Sequence, residues 1–109
     1  MKPVTINIFA NQVHQNAVDH GWWSEKRTFG DICSLIHSEV SEAFEEHRNS
    51  KPMHYIVDGK PEGIAVELVD VVIRVFDYLV SEQIDIEAML LEKHQYNVTR
   101  PFKHGGKKL

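Results

Sequence analysis

The chain has little cysteine, proline or glycine: its 109 residues include one cysteine, four prolines and six glycines. Because Cys33 has no second cysteine to pair with, no internal disulfide can form. This excludes a secreted disulfide scaffold and predicts a reducing, cytoplasmic compartment. The few helix-breaking residues and the 42% apolar content are typical of one compact domain spanning residues 1–109.

Long uncharged hydrophobic runs and an excess of basic charge are also missing. Four charged residues interrupt the longest mostly apolar stretch, residues 63–80, so the sequence predicts no membrane span. The net charge of −4 argues against a stable nucleic-acid or membrane-surface binder. The charge is unevenly distributed, because residues 93–109 carry five basic side chains and no acidic one.

Four segments show helical periodicity, which predicts an all-α, four-helix bundle-like fold. Residues 99–109 should follow as an extended basic tail. A domain of this size buries a modest core, which favours a homo-oligomer. The predicted helices run from about Thr5 to His20, from residues 28–31 to about Asn49, from Glu62 to about Gln83 and from Asp85 to about Val98.

Acidic residues lie where the helical pattern calls for apolar ones. On the second helix, Glu39 falls inside a continuous apolar arc, and Glu42 and Glu46 lie on its edge. The third helix is apolar nearly all round, which predicts that it is buried. An unpaired charge on a buried face costs several kcal/mol, so a partner must compensate it. The polar side chains of the third helix form one stripe, Glu67, Asp70, Arg74 and Asp77.

Two kinds of partner are open for these carboxylates. A cation held only by oxygen ligands would be a hard divalent ion, Mg²⁺ or Mn²⁺, rather than zinc. A di-iron site is disfavoured because no Glu has a His three residues later. The alternatives are a structural ion-pair network with Arg48, Arg74 or Lys93, or carboxylates that face solvent at the edge of the bundle. The shortage of basic residues on these two helices favours the metal.

The spacing of the acids resembles a known family. Glu-Val-Ser-Glu at residues 39–42 and Glu-Leu-Val-Asp at residues 67–70 resemble the paired acidic motifs of the MazG-like nucleoside triphosphate pyrophosphohydrolases, an all-α family. The resemblance covers residues 29–108. The end of the chain is similar to that of small single-domain members from bacteria, phages and mobile elements, in Lys93, Tyr96-Asn97, Arg100-Pro101 and His104-Gly105-Gly106-Lys107.

The resemblance implies hydrolysis of a nucleoside or deoxynucleoside triphosphate to the monophosphate and pyrophosphate, as in nucleotide-pool housecleaning. It implies that Mg²⁺ is the cofactor and that Lys93 and Asn97 contact the phosphates or the sugar. Arg100 would stabilise charge on the leaving group. One departure is Ser38, where many members have a glutamate; Glu45 or Glu46 could substitute. The metal ligands and catalytic residues implied are Glu39, Glu42, Glu67 and Asp70.

Three aromatic residues between the first two helices complete the candidate site. Trp22, Trp23 and Phe29 could stack on a nucleobase or belong to the core. The expected assembly is a homodimer or homotetramer that buries the third helix. A second function also fits the pattern: a non-catalytic helical module that senses nucleotide or binds a partner protein, with the acidic stripe as an ion-pair network.

Overall fold

The chain folds into four helices and one small hairpin. The structure is a computed structural model, and it describes residues 4–102. The predominantly helical architecture confirms the all-α prediction at the coarse level. The last seven residues of the predicted basic tail lie outside the described part. The elements are α1 (Ile6–Asp19), α2 (Phe29–Arg48), β1 (Tyr55–Val57), β2 (Lys60–Glu62), α3 (Ile64–Ser81) and α4 (Ile86–Thr99).

Polar side chains set the start of three helices. Thr5 caps α1 by accepting a hydrogen bond from the backbone N–H of Ile8. Thr28 forms a reciprocal capping box with Asp31 at the start of α2. Asp85 caps α4 in the same way as Thr5 caps α1. Each cap satisfies backbone donors that a helix leaves unpaired, so the predicted starts of these helices are confirmed.

The hairpin differs from the sequence-based prediction. β1 and β2 pair antiparallel around the turn at Asp58 and Gly59, which both have positive φ angles, 49° and 79°. Asp-Gly with positive φ at both positions is the favoured two-residue hairpin turn. Glu62 therefore does not begin the third helix but ends β2, and Gly63 separates it from α3.

α3 is the central helix, because it packs against α1, α2 and α4. Buried hydrophobic side chains are few in the described residues: Ala10, Ile32, Ala43 and Ile86. The sequence predicts that α3 is buried, but in a single copy Leu68, Val69 and Val72 of this helix are exposed. Val40 and Phe44 of the predicted apolar arc on α2 are exposed too.

None of the helices in residues 4–102 combines the length and the apolar character that crossing a membrane requires. α3 is the most apolar of them, and its acidic and basic residues interrupt every long stretch.

Candidate functional site

The packing of α2 against α3 brings the predicted carboxylates together. Glu39, Glu67 and Asp70 each place one carboxylate oxygen within 4.8 Å of the others. Glu39 is 7% exposed, whereas Glu42 is exposed and adjoins Glu67. These four residues are called the acidic group below. Two motifs that are far apart in the sequence thus form one cluster.

Crowding changes the acidity of the acidic group. Burial, hydrogen bonding with Glu42 and the charges of Glu42, Asp70 and Glu39 raise the pKa of Glu67 to about 7. Burial and the charge of Glu39 raise the pKa of Asp70, and the nearby Arg74 and Lys60 offset this only in part. The cluster therefore favours an added positive charge, either a proton or a cation.

Arg74 supplies part of that positive charge. Its Nε and Nη2 atoms each lie 2.8 Å from Oε1 of Glu39, an ion pair that joins α3 to α2. This pair is the contact that the ion-pair alternative requires. It provides one guanidinium for four carboxylates, and the pKa values of Glu67 and Asp70 are raised in its presence.

The hairpin adds a second acidic cluster that shares Glu67 with the acidic group. Oxygens of Glu46, Glu62 and Glu67 lie within 4.8 Å of one another. Tyr55 donates a 2.8 Å hydrogen bond to Oε1 of Glu46, which raises the pKa of Tyr55 to about 12. The Nζ atom of Lys60 lies 3.1 Å from Oε1 of Glu62. Sequence reasoning missed Glu62 here because it assigned that residue to a helix; the Asp-Gly turn was the available signal.

Of the two residues considered as substitutes for the glutamate missing at Ser38, Glu46 is the one that adjoins the acidic group. Ser38 itself is exposed, and its hydroxyl donates a 3.0 Å hydrogen bond to the carbonyl of Leu35. Glu45 is exposed as well and accepts a hydrogen bond from Asn49 at 3.5 Å.

A pocket of about 420 Å³ opens beside the acidic group, between α1, α2, α3 and the α1–α2 connection, residues 20–28. Trp22 lines it and is 54% exposed, so its ring is available to a ligand. Phe29 is exposed and lies against the ring of Tyr78, 5.2 Å between centroids. The lining residues are Phe9, Gln12, Val13, Asn16, Ala17, Trp22, Arg27, Glu39, Asp70, Ile73, Arg74 and Asp77.

Trp23 does not line this pocket, but it hydrogen-bonds with Asp77, which does. Its Nε1 atom donates a 2.9 Å hydrogen bond to Oδ1 of Asp77, which is 8% exposed. The same oxygen lies 2.7 Å from Nδ1 of His14. Sequence reasoning singled out neither His14 nor Arg27, which also faces Asp77. The position of Asp77 in the polar stripe of α3 was the available signal.

The predicted phosphate-binding residues lie elsewhere on the chain. Lys93, Asn97 and Arg100 are not among the residues that line the pocket. Lys93 Nζ and the guanidinium carbon of Arg100 lie 5.0 and 5.8 Å from the ring centroid of Tyr96. α4 packs against α1 and α3, and in the described residues it makes no close contact with α2. Their role in substrate binding stays a prediction.

Comparison of the chain with protein-family models, with curated proteins and with solved structures found no match. The resemblance to the MazG-like family therefore depends on the motifs of this chain.

Proposed function

We propose that this chain is a Mg²⁺-dependent nucleoside triphosphate pyrophosphohydrolase, which releases a nucleoside monophosphate and pyrophosphate from a ribo- or deoxynucleoside triphosphate. The observation that carries the proposal is the convergence of Glu39, Glu67 and Asp70 within 4.8 Å at a pocket that an exposed tryptophan lines. The acidic motifs resemble those of MazG-like enzymes. A housecleaning role in the nucleotide pool belongs to the same proposal.

The chemistry of the donor set supports a magnesium site. Every donor is a carboxylate oxygen, the ligand type that hard divalent cations prefer. Burial and repulsion raise the pKa values of Glu67 and Asp70, and a divalent ion would stabilise the charged form of both groups. Glu39, Glu67 and Asp70 would hold the ion, with Glu42 or Glu46 completing the set. Mn²⁺ could take its place.

The residues of the site have separate roles in the proposed reaction. When bound, Mg²⁺ would neutralise charge on the triphosphate. Glu42 is exposed at the edge of the acidic group, and with Glu46 as the fourth ligand it would orient a water molecule and accept its proton. The water oxygen would bond to the α-phosphorus while the bond between that phosphorus and the bridging oxygen breaks, releasing pyrophosphate. Trp22 would stack on the base.

The pyrophosphate released from a panel of ribo- and deoxynucleoside triphosphates tests the proposal, measured with Mg²⁺ and with EDTA. The expected result is metal-dependent release, with the monophosphate identified by chromatography. If a well-folded protein releases no pyrophosphate from any triphosphate, the proposed activity is wrong.

Two substitutions test the assignment of the metal ligands. Glu39→Gln and Asp70→Asn should each lower kcat/KM at least about 100-fold, because each removes a ligand charge while leaving the side chain's shape. Circular dichroism should show unchanged helix content. Glu92→Gln on α4 makes the same chemical change at an exposed position and should leave turnover intact. Full activity in either ligand variant would contradict the site.

One observation favours a second candidate function, a non-catalytic module that senses nucleotide or binds a partner protein. The close pair of Arg74 and Glu39 is the kind of contact that an ion-pair network would contain. Under this alternative, Glu39→Gln would alter the melting temperature or association, and the wild-type protein would have no turnover to lose. The same assay and the same variant therefore separate the two functions.

A further inference from the structure

The polar side-chain contacts of the α1–α2 connection, residues 20–28, with α3 converge on one residue. In the described residues, its side-chain hydrogen bonds and ion pairs to α3 all end on Asp77. Oδ1 of Asp77 accepts a hydrogen bond from Trp23, and Oδ2 lies 3.8 Å from Nη1 of Arg27. A buried carboxylate needs such partners, because its desolvation is otherwise not compensated.

The contacts continue from Asp77 to the exposed tryptophan of the pocket. The guanidinium carbon of Arg27 lies 4.9 Å from the ring centroid of Trp23 and 6.0 Å from that of Trp22. Arg27 is thus held by Asp77 on one side and lies against both indole rings. His14, from α1, adds an edge-to-face contact with Trp23 at 5.5 Å.

The position of Asp77 relative to the acidic group fits this arrangement. Asp70 and Asp77 are seven residues apart on α3 and both line the pocket. Seven residues are about two helical turns, or about 10 Å along the axis. A nucleoside 5′-monophosphate spans a similar distance from its phosphorus to the far edge of its base. One end of the pocket therefore offers carboxylates, and the other offers an aromatic wall anchored by Asp77.

We propose that Asp77 is a positioning residue: it fixes Trp23 and Arg27, and through them the Trp22 ring, so that the pocket binds the nucleoside part of the substrate. This inference rests on the proposed function and adds a determinant of substrate affinity to it. Asp77 touches no reacting atom in this role, so its loss weakens binding and spares the chemical step.

Substitutions of Asp77 distinguish positioning from mere stability. Asp77→Leu removes all three contacts, so KM for the triphosphate should rise at least about tenfold while kcat stays within about threefold. Asp77→Asn keeps an oxygen acceptor for Trp23, so KM should stay close to the wild-type value. Tryptophan emission should become more sensitive to acrylamide in the leucine variant only. Glu92→Gln is the control for removing one negative charge.

A tryptophan variant keeps the test decisive if the leucine variant does not fold. Trp23→Phe retains the ring but removes the Nε1 donor, so KM should rise with kcat maintained. Where Asp77→Leu does fold, adding Trp23→Phe to it should have little further effect, because both changes remove one contact. An unchanged KM in both Trp23→Phe and Asp77→Leu, or an equal fall in kcat and kcat/KM, would overturn the positioning role.

A binding measurement separates this inference from the proposed reaction. The probes are the α,β-imido analogues of the four deoxynucleoside triphosphates with Mg²⁺, which cannot be cleaved at that bond. Quenching of wild-type tryptophan emission that Asp77→Leu weakens would support the pocket even if no turnover is found. Turnover with unchanged analogue affinity in Asp77→Leu would overturn the inference alone, and an absence of both binding and turnover would overturn both proposals.

Discussion

At the scale of single residues, the pKa of Glu67 changes strongly when the two acidic motifs come together. Its carboxyl has an ordinary pKa of 4.5, which the folded chain raises to about 7. At pH values between these two, the folded protein keeps a proton that the unfolded chain releases. Without metal, the free energy of unfolding therefore falls as the pH rises through this range, and the loss is complete above it.

Glu67→Gln should remove this pH dependence. The variant has no charge to bury or to repel, so at pH 8 without metal it should melt at a higher temperature than the wild type. Mg²⁺ should raise the melting temperature of the wild type at pH 8 and have little effect on the variant. Thermal melts at several pH values, with EDTA and with Mg²⁺, measure both effects. Parallel pH profiles for the two proteins would contradict this account.

The sequence predicts the members of the acidic group because each one breaks an apolar pattern. Glu39 and Glu67 stand out against helical faces that are otherwise apolar, so periodicity alone identifies them. His14 and Arg27, which contact Asp77, interrupt no apolar pattern, because α1 and the connection after it are largely exposed. Their role depends on which helices meet, and this information is not local to the sequence.

At the scale of secondary-structure elements, Gly63 decides where the hairpin ends and α3 begins. Its φ of 121° lies in a region that other residues rarely adopt. A Cβ added there would meet the backbone of Met53, whose carbonyl carbon would be 2.7 Å away. The turn into α3 therefore requires glycine at this position.

Gly63→Ala should destabilise the protein by at least about 2 kcal/mol, because backbone strain and a backbone clash add together. Since α3 carries Glu67 one turn after this junction, turnover should fall as well. Gly59→Ala in the exposed turn is a matched control: its φ is also positive, but an added Cβ meets no atom within 4 Å. Urea unfolding of the two variants compares the effects; equal losses would show that the clash is not decisive.

The elements differ in how far the sequence reveals them. Helix starts are predictable where a polar cap stands before the first turn, as at Thr5, Thr28 and Asp85. The start of α3 has no side-chain cap, which explains why the prediction placed it too early, at Glu62. The three-residue strands are shorter than any periodicity can resolve, and the turn residues Asp58 and Gly59 are their main local signal.

At the scale of the whole molecule, apolar side chains on two neighbouring helices are uncovered in a single copy. Within residues 4–102, few hydrophobic side chains are completely buried, while Val69 on α3 is 53% exposed and Phe44 on α2 is 60% exposed. Exposed apolar surface of this extent on neighbouring helices is typical of an interaction surface. A homodimer or homotetramer would cover it and would stabilise a chain with so small a core.

Light scattering coupled to size-exclusion chromatography tests the assembly. The wild type should elute as a dimer or tetramer, and Val69→Glu should shift it toward a smaller and less stable species, because a charge cannot be buried unpaired in the interface. Val98→Glu, at a position 70% exposed on α4, provides the comparison and should retain the wild-type mass. A monomeric wild type with normal stability would contradict the predicted oligomer.

Helix α3 fixes the distance and the relative direction between the residues of its polar stripe. Asp70 and Asp77 both line the pocket, and they keep their separation and their common helix face only while six residues lie between them. One residue inserted between them would move Asp77 about 1.5 Å further along the helix axis and rotate it by about 100° around that axis. Insertions and deletions in evolution should therefore avoid residues 70–77 and accumulate instead at the turn of the hairpin.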